Sequence, residues 1–212
     1  MNEAVQSVME KRIRRAMAAV QRNQMQAFYC ERADQVPAFV KEMLPAGCSV
    51  SHGGSATLSE CGVTDLLAQG DYRYLDRSKA NGPEEIGKLY REVFSADWYL
   101  TSSNAVTEEG ELYNVDGNSN RVAAIAFGPA HVLVIVGCNK IVRDLDEAMA
   151  RVQTIAAPAN TVRLNCDTPC AESGRCQNCH SPARICCNAL ITAFQRDPDR
   201  VKVLFVGEPL GF

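Results

Sequence analysis

Six of the chain's ten cysteines fall between Cys166 and Cys187, in the pattern C-x3-C-x5-C-x2-C-x6-C-C. The pair Cys176 and Cys179 has a spacing that lets two sulfurs point at one ion from a tight turn, and Gly174 supplies the freedom such a loop needs. Ser181 and Pro182 read as the N-cap and first residue of a helix. That places Cys186 in the early helical turns, where the positive end of the dipole favours thiolate. The preferred ligand set is therefore Cys170, Cys176, Cys179 and Cys186. Four thiolates suit an iron–sulfur cluster of the [4Fe–4S] type or a tetrahedral zinc ion. The ferredoxin spacing is absent, so the pattern does not choose the metal. Cys166 and Cys187 are left as alternative ligands or plain thiols, and His180 reads as a solvated loop residue. The competing reading is a packed segment of reduced cysteines.

Two further polar constellations could do chemistry. Ser51-His52-Gly53-Gly54-Ser55 follows a strand candidate and opens a helix, so bare backbone N–H groups could cradle an anion or simply make a tight turn. It matches neither G-x-G-x-x-G nor a Walker A sequence. The second runs from Thr101, Ser102, Ser103 and Asn104 through Glu108 to Asn114, Asp116, Asn118, Asn120 and Arg121. It offers more hydrogen-bonding capacity than a turn requires. A desolvated Glu108 could serve as nucleophile or general base. Gly137-Cys138-Asn139-Lys140 could complete the pocket, with Lys140 facing a phosphate or carboxylate. The ligand-binding candidates are thus Gly53, Gly54, Ser55, Thr101, Ser102, Asn104, Asn114, Asp116, Asn120, Arg121, Asn139 and Lys140.

The elements that must position these groups alternate. Residues 3–22 carry apolar residues at helical spacing. Ala27–Cys30 is a short strand, and Asp34 is placed to cap a helix with the stripe Val36, Phe39, Val40, Met43 and Leu44. Strands are expected at 48–51 and 72–75, with short helices between them. A helix opens at Pro83, strands follow at Trp98–Thr101 and Leu112–Val115, and Ala123–Phe127 reads as extended. His131–Val136 is a continuous apolar run, as expected for a parallel strand buried on both faces. Asp144 opens a helix with the face Leu145, Met149, Val152 and Ile155 that ends near Ala157. Val201–Val206 closes the series. This alternation predicts an α/β fold with a mainly parallel sheet and helices on both faces, as one domain over 1–212 with a cysteine-rich metal-binding segment at 164–188.

Composition narrows the partners. The 212 residues are 46% apolar and 22% charged, which excludes a largely disordered chain. A net charge of −3 provides no basic field for nucleic acid. The run Val132–Val136 is too short to span a bilayer. Glu3, Glu10, Lys11 and Arg12 interrupt any secretory-type apolar core. The expectation is a cytoplasmic protein away from membranes, where clustered thiols read first as metal ligation or redox chemistry.

The run Thr101-Ser102-Ser103-Asn104 through Thr107-Glu108-Glu109-Gly110, Asp116-Gly117-Asn118, Asn120-Arg121 and Gly137-Cys138-Asn139-Lys140 resembles the lactate-utilisation (LUD) domain family. The tail Thr168-Pro169-Cys170, Cys176, Cys179, Ser181-Pro182 and Arg184-Ile185-Cys186 is similar to a stand-alone branch of that family. The resemblance covers roughly residues 5 to 210. It implies a fold similar to ribose-5-phosphate isomerases, glucosamine-6-phosphate deaminases and CoA transferases. It also implies L-lactate oxidation alongside iron–sulfur partner proteins. The family's glutamate loop commonly reads A-E-T-G, from which this chain departs at Thr107 and Glu109, and the cysteine tail is not general among the lactate members.

Three functions compete at this stage. The first is an accessory redox component with a cysteine-ligated iron–sulfur or zinc centre, acting in small hydroxy-acid metabolism. The second is a CoA- or phosphosugar-type transferase or isomerase using Glu108, with a structural metal. The third is a non-enzymatic regulator or scaffold. A small anionic metabolite is the expected ligand, and homo-oligomerisation is left open.

Overall fold

A computed structural model describes residues 2–212. Among the described residues, ten strands make two sheets. The larger contains β1 (Gln26–Cys30), β2 (Ser49–His52), β3 (Arg73–Tyr74), β4 (Trp98–Thr101), β7 (His131–Gly137) and β10 (Val201–Val206). Its order is β1-β10-β7-β4-β2-β3, with every neighbouring pair parallel. The smaller contains β5 (Ala105–Thr107), β6 (Leu112–Asp116), β8 (Ile141–Val142) and β9 (Asn188–Thr192), ordered β8-β5-β6-β9 and mixed in direction.

The central strands explain the apolar runs. On β7, Val132, Val134 and Val136 enter one core, while Leu133 and Ile135 enter the other. On β10, Val201, Val203 and Phe205 face the first side, and Leu204 and Val206 face the second. Both strands sit inside the sheet with helices above and below, so their positions are apolar on both faces, except Lys202 of β10, whose ammonium donates to Asp199 C=O. The first face is covered by α1 (Glu3–Arg22) through Ile13, Ala16 and Val20. The second is covered by α2 (Val36–Met43), α3 (Ala56–Glu60) and α4 (Val63–Gln69), through Val40, Leu58 and Leu67. The helix α5 (Gly82–Glu92) carries Pro83 in its first turn, as expected.

Several local expectations are corrected. Residues 123–127 are not a strand: 123–126 belong to α6 (Asn120–Ala126), which buries Val122, Ala124 and Ile125, and Phe127 is its C-cap. One Asp116 carboxylate oxygen accepts from the N–H groups of Arg121 (2.9 Å) and Val122 (3.2 Å), which starts this helix from outside. Asp34 does not cap α2, because its carboxylate pairs with Arg32 and a 3-10 turn over Ala33–Gln35 precedes the helix. Asp144 does cap α7 (Leu145–Arg151), accepting from Glu147 N–H. The helix then passes through a π turn at Val152–Ala156 into α8 (Ala157–Arg163). The wider turn rotates the stripe, so Met149 and Ile155 are exposed while Ala148, Arg151 and Val152 are buried. A short helix α9 (Pro169–Ser173) follows.

No helix begins at Pro182. Ser181 instead closes one turn, its hydroxyl accepting from Ala183 N–H and donating to Asp167 C=O, after which the chain extends into β9. The dipole argument for Cys186 therefore lapses.

The loop carrying Glu108 is pressed against α1. Gly110 has φ +84°, and a Cβ there would lie 2.5 Å from the backbone of Ala19 and Val20. Gly110→Ala is expected to lower stability by roughly 3 kcal/mol, combining left-handed strain with a backbone clash that no rotamer relieves. Urea unfolding checks this, and a loss under 1 kcal/mol would show that the loop can lift away.

Candidate functional site

The carboxyl ends of β2, β4 and β7 and the turn after β6 converge on a cleft of about 230 Å³. Crevices outside the carboxyl ends of strands are where α/β sheets bind ligands, because loops there are free of the sheet's own packing. One wall is Gly54, Ser55 and Thr57, and another is Thr101 to Asn104. Asp116 to Asn118, with Asn120 and Arg121, close a third side. Opposite stand Asn160, Arg163 and Leu164 of the α8 end, with Arg184 and Ile185 from the cysteine-rich segment, and Phe212 reaches in from the C-terminus.

Arg121 builds the polar wall. Its Nη1 donates to Ser102 C=O (3.1 Å) and Asn114 Oδ1 (2.6 Å), and its Nη2 donates to Asn104 Oδ1 (3.0 Å) and Val115 C=O (2.7 Å). Asn104 Oδ1 also accepts from Val115 N–H, so the loop after β4 and the end of β6 are locked together. Arg151 performs a similar task below, donating to Asn139 C=O and Asn104 C=O. Burial depresses the pKa of both arginines.

Lys140, only 3% exposed, lies at the floor. Its Nζ is 2.8 Å from Thr57 Oγ1 and 2.9 Å from Ser102 Oγ. Burial, followed by the charges of Arg151 and Arg121, pushes its pKa down to about 7.

Arg77 and Arg163 stand at the mouth. Arg163 leans on Asn160 Oδ1 and over the Phe212 ring, 6.0 Å from its centroid. Burial lowers its pKa, and the charge of Arg77 adds to that. Among the described residues, none of the five lining cations, Arg77, Arg121, Lys140, Arg163 and Arg184, forms an ion pair. Asp116 is the one acidic side chain among the lining residues, and one of its oxygens is spent on α6. Such an excess of positive charge in a concave site attracts and holds anions.

Nine of the twelve ligand-binding candidates line this cleft; Gly53, Asn114 and Asn139 do not. Gly53 sits behind the wall, where an added Cβ would meet Tyr99 and Arg121. Asn114 is fully buried and supports Arg121, while its own Nδ2 has no partner. Asn139 pins the C-terminal tail, accepting from Leu210 N–H and donating to Gly211 C=O, and so holds Phe212 beside the cleft.

Glu108 is elsewhere. Its two oxygens are each 2.6 Å from a guanidinium nitrogen of α1, Arg12 Nε and Arg15 Nε. Those hydrogen bonds, that of Arg15 foremost, hold its carboxyl below the usual range. The expectation that Glu108 reaches the pocket is corrected, and the reason is the close seating of Gly110 on α1. Arg77, Thr57, Arg163 and Phe212 carried no motif and were missed. Arg184 was visible only as part of the cysteine tail.

Cys170 is buried in α9 with its sulfur 3.5 Å from the hydroxyls of Thr161 and Thr168. Cys179 and Cys186 gather at Arg184, which donates to the carbonyls of both. Burial pushes the Cys186 thiol up, Arg184 opposes this, and the charges of Cys176 and Cys179 add to the rise. Among the described residues no three His, Cys, Asp or Glu side chains are arranged to hold a metal ion.

A family model described as the LUD domain matches residues 13–206. The fold is similar to the crystal structure of a DUF162 family protein from Deinococcus radiodurans, with a TM-score of 0.51 and 16% identity over 95% of this chain and 98% of that one. No curated protein matches the sequence. Among the described residues, no helix is long and apolar enough to cross a membrane.

Proposed function

This chain belongs to the LUD domain family, and from that premise we propose that its cleft binds a small carboxylate- or phosphate-bearing metabolite in lactate-utilisation-related chemistry. The observation that carries the reading is the set of four arginines without an ion pair among the described residues, Arg77, Arg121, Arg163 and Arg184, facing one half-spent acidic side chain. Arg77 and Arg163 supply the outer anion contacts, Arg184 and the Ser102/Asn104 loop the inner ones, and Phe212 narrows the entrance. The transferase reading loses its nucleophile, because the Glu108 carboxylate is neutralised by two arginines outside the cleft.

Calorimetric titration with inorganic phosphate and with L-lactate tests this. Binding of at least one is expected, and the double variant Arg77→Gln/Arg163→Gln should weaken it at least tenfold, since a charge-assisted hydrogen bond contributes about 1.5–3 kcal/mol. Glu108→Gln should bind like the wild type. Absence of binding by both anions, or equal binding by the double variant, overturns the reading.

A cysteine-ligated iron–sulfur or zinc centre is a second reading, supported by Cys176 and Cys179 lying close enough to Cys186 for their charges to raise its pKa, with Arg184 beside Cys179, Cys186 and Cys187. It joins an accessory redox role to the cleft, because Arg184 belongs to both. Anaerobic purification and elemental analysis should then find iron or zinc that Cys179→Ser removes. Metal-free protein from metal-supplemented cells would eliminate it.

A further inference from the structure

Lys140 needs a different account from the other cations. Its Nζ is within hydrogen-bond distance of two groups, the hydroxyls of Thr57 and Ser102. Each hydroxyl has a carbonyl to receive its own proton, Leu210 C=O at 3.3 Å for Thr57 and Ser103 C=O at 3.4 Å for Ser102. Both oxygens are therefore left as acceptors. A neutral amine has two N–H donors and one lone pair. The two donors are used, which leaves the lone pair free, and Lys140 is one of the residues lining the cleft. An ammonium ion would carry a third proton with no acceptor there. No carboxylate draws a proton onto the site: among the described residues Lys140 has no ion pair, and Glu60 on α3 gives one oxygen to Gly211 N–H. Arg121 and Arg151 face it from α6 and α7 with positive charge, and Cys61 lies beyond α3 as a protonated thiol.

We propose that Lys140 is a carbonyl-reactive amine that condenses with a small anionic oxo compound, of the 2-oxo acid class, held by the arginines of the cleft. The inference rests on the anion-binding reading above and names the substrate class. The amine lone pair attacks the carbonyl carbon, a carbon–nitrogen bond forms, and the C=O π pair moves to oxygen. The two amine protons transfer to that oxygen, which departs as water and leaves a C=N bond. Nothing is oxidised or reduced. Ser102 and Thr57 are placed to pass the protons, and their oxygens can accept from the remaining N–H if the product is protonated. A lowered pKa keeps the amine free near neutral pH, when an exposed lysine is almost wholly protonated.

The test is reductive trapping on the intact chain with pyruvate, the smallest 2-oxo acid, and cyanoborohydride at neutral pH, followed by peptide mass mapping. Lys140 should be labelled at least tenfold faster than the exposed Lys41, Lys79 and Lys88, and inorganic phosphate should slow it. Arg163→Gln should slow trapping of pyruvate about tenfold. Labelling of Lys140 no faster than the exposed lysines overturns the proposal. If phosphate still binds in that case, the anion-binding reading survives and the reactive amine alone falls. If neither occurs, both fall.

Discussion

Replacing Arg121 by methionine is expected to lower stability by about 3 kcal/mol and to abolish anion binding together with it. The side chain touches no carboxylate; it donates to four oxygens, two from the loop after β4 and two from β6. Methionine fills much of the volume but leaves Ser102 C=O, Val115 C=O, Asn104 Oδ1 and Asn114 Oδ1 without that donor. An acceptor stripped of its partner away from water costs about 1–3 kcal/mol, and partial water access reduces the sum over four. Asn114 is the most exposed to this loss in energetic terms, because it is fully buried and its Nδ2 is already unpaired. Arg121→Lys should recover little, since one ammonium cannot reproduce a planar fork spanning four acceptors. Urea denaturation gives the first quantity and phosphate calorimetry the second. Loss of stability with intact binding would mean that the loop after β4 keeps its shape without this clamp.

The central sheet was legible because its chemistry is local to each strand. Val132 to Val136 and Val203 to Val206 are apolar at successive positions, which only a strand covered on both faces requires. The small sheet was largely hidden. Ala105–Thr107 and Ile141–Val142 are too short to show a period, and Asn188–Thr192 is mostly exposed, so its pairing with β6 is decided by tertiary contacts. Ala123–Phe127 misled because V-A-A-I-A-F suits either period, and the choice is made by Asp116, which starts the helix from four residues upstream of Asn120. Much of the candidate site was readable from polar residues placed after strands, as Ser102, Asn104 and Lys140 show. Arg77, Arg163 and Phe212 were not, because each reaches the cleft from an element whose direction depends on the fold. Glu108 shows the reverse error: the segments that flank its hairpin, Thr101–Asn104 and Val115–Asn118, line the cleft, but one glycine seated on α1 turns it to Arg12 and Arg15.

The stability of the wild-type protein should rise with pH above neutrality by an amount that Lys140→Met removes. In the fold the amine is neutral above about pH 7, whereas in the unfolded chain it holds its proton to about 10.4. Between those values the unfolded state binds one more proton, so the unfolding free energy increases with pH, by up to about 1.4 kcal/mol per unit. Below pH 7 both states are protonated, the slope vanishes, and the folded chain bears the full penalty of a buried ammonium. Cys61 acts in the opposite sense: its thiol is pushed up to about 11 by burial, so the unfolded chain loses that proton first and stability falls above pH 9. The useful window is therefore pH 7 to 9, and the difference between wild type and variant isolates the lysine because Cys61 is common to both. Methionine matches the length of the stem and needs no proton, so the variant should be the more stable of the two near pH 6 and lose that advantage as pH rises. Parallel slopes for the two proteins across this window would show that Lys140 keeps its proton in the fold, a result that would also deny it the free lone pair on which carbonyl chemistry depends.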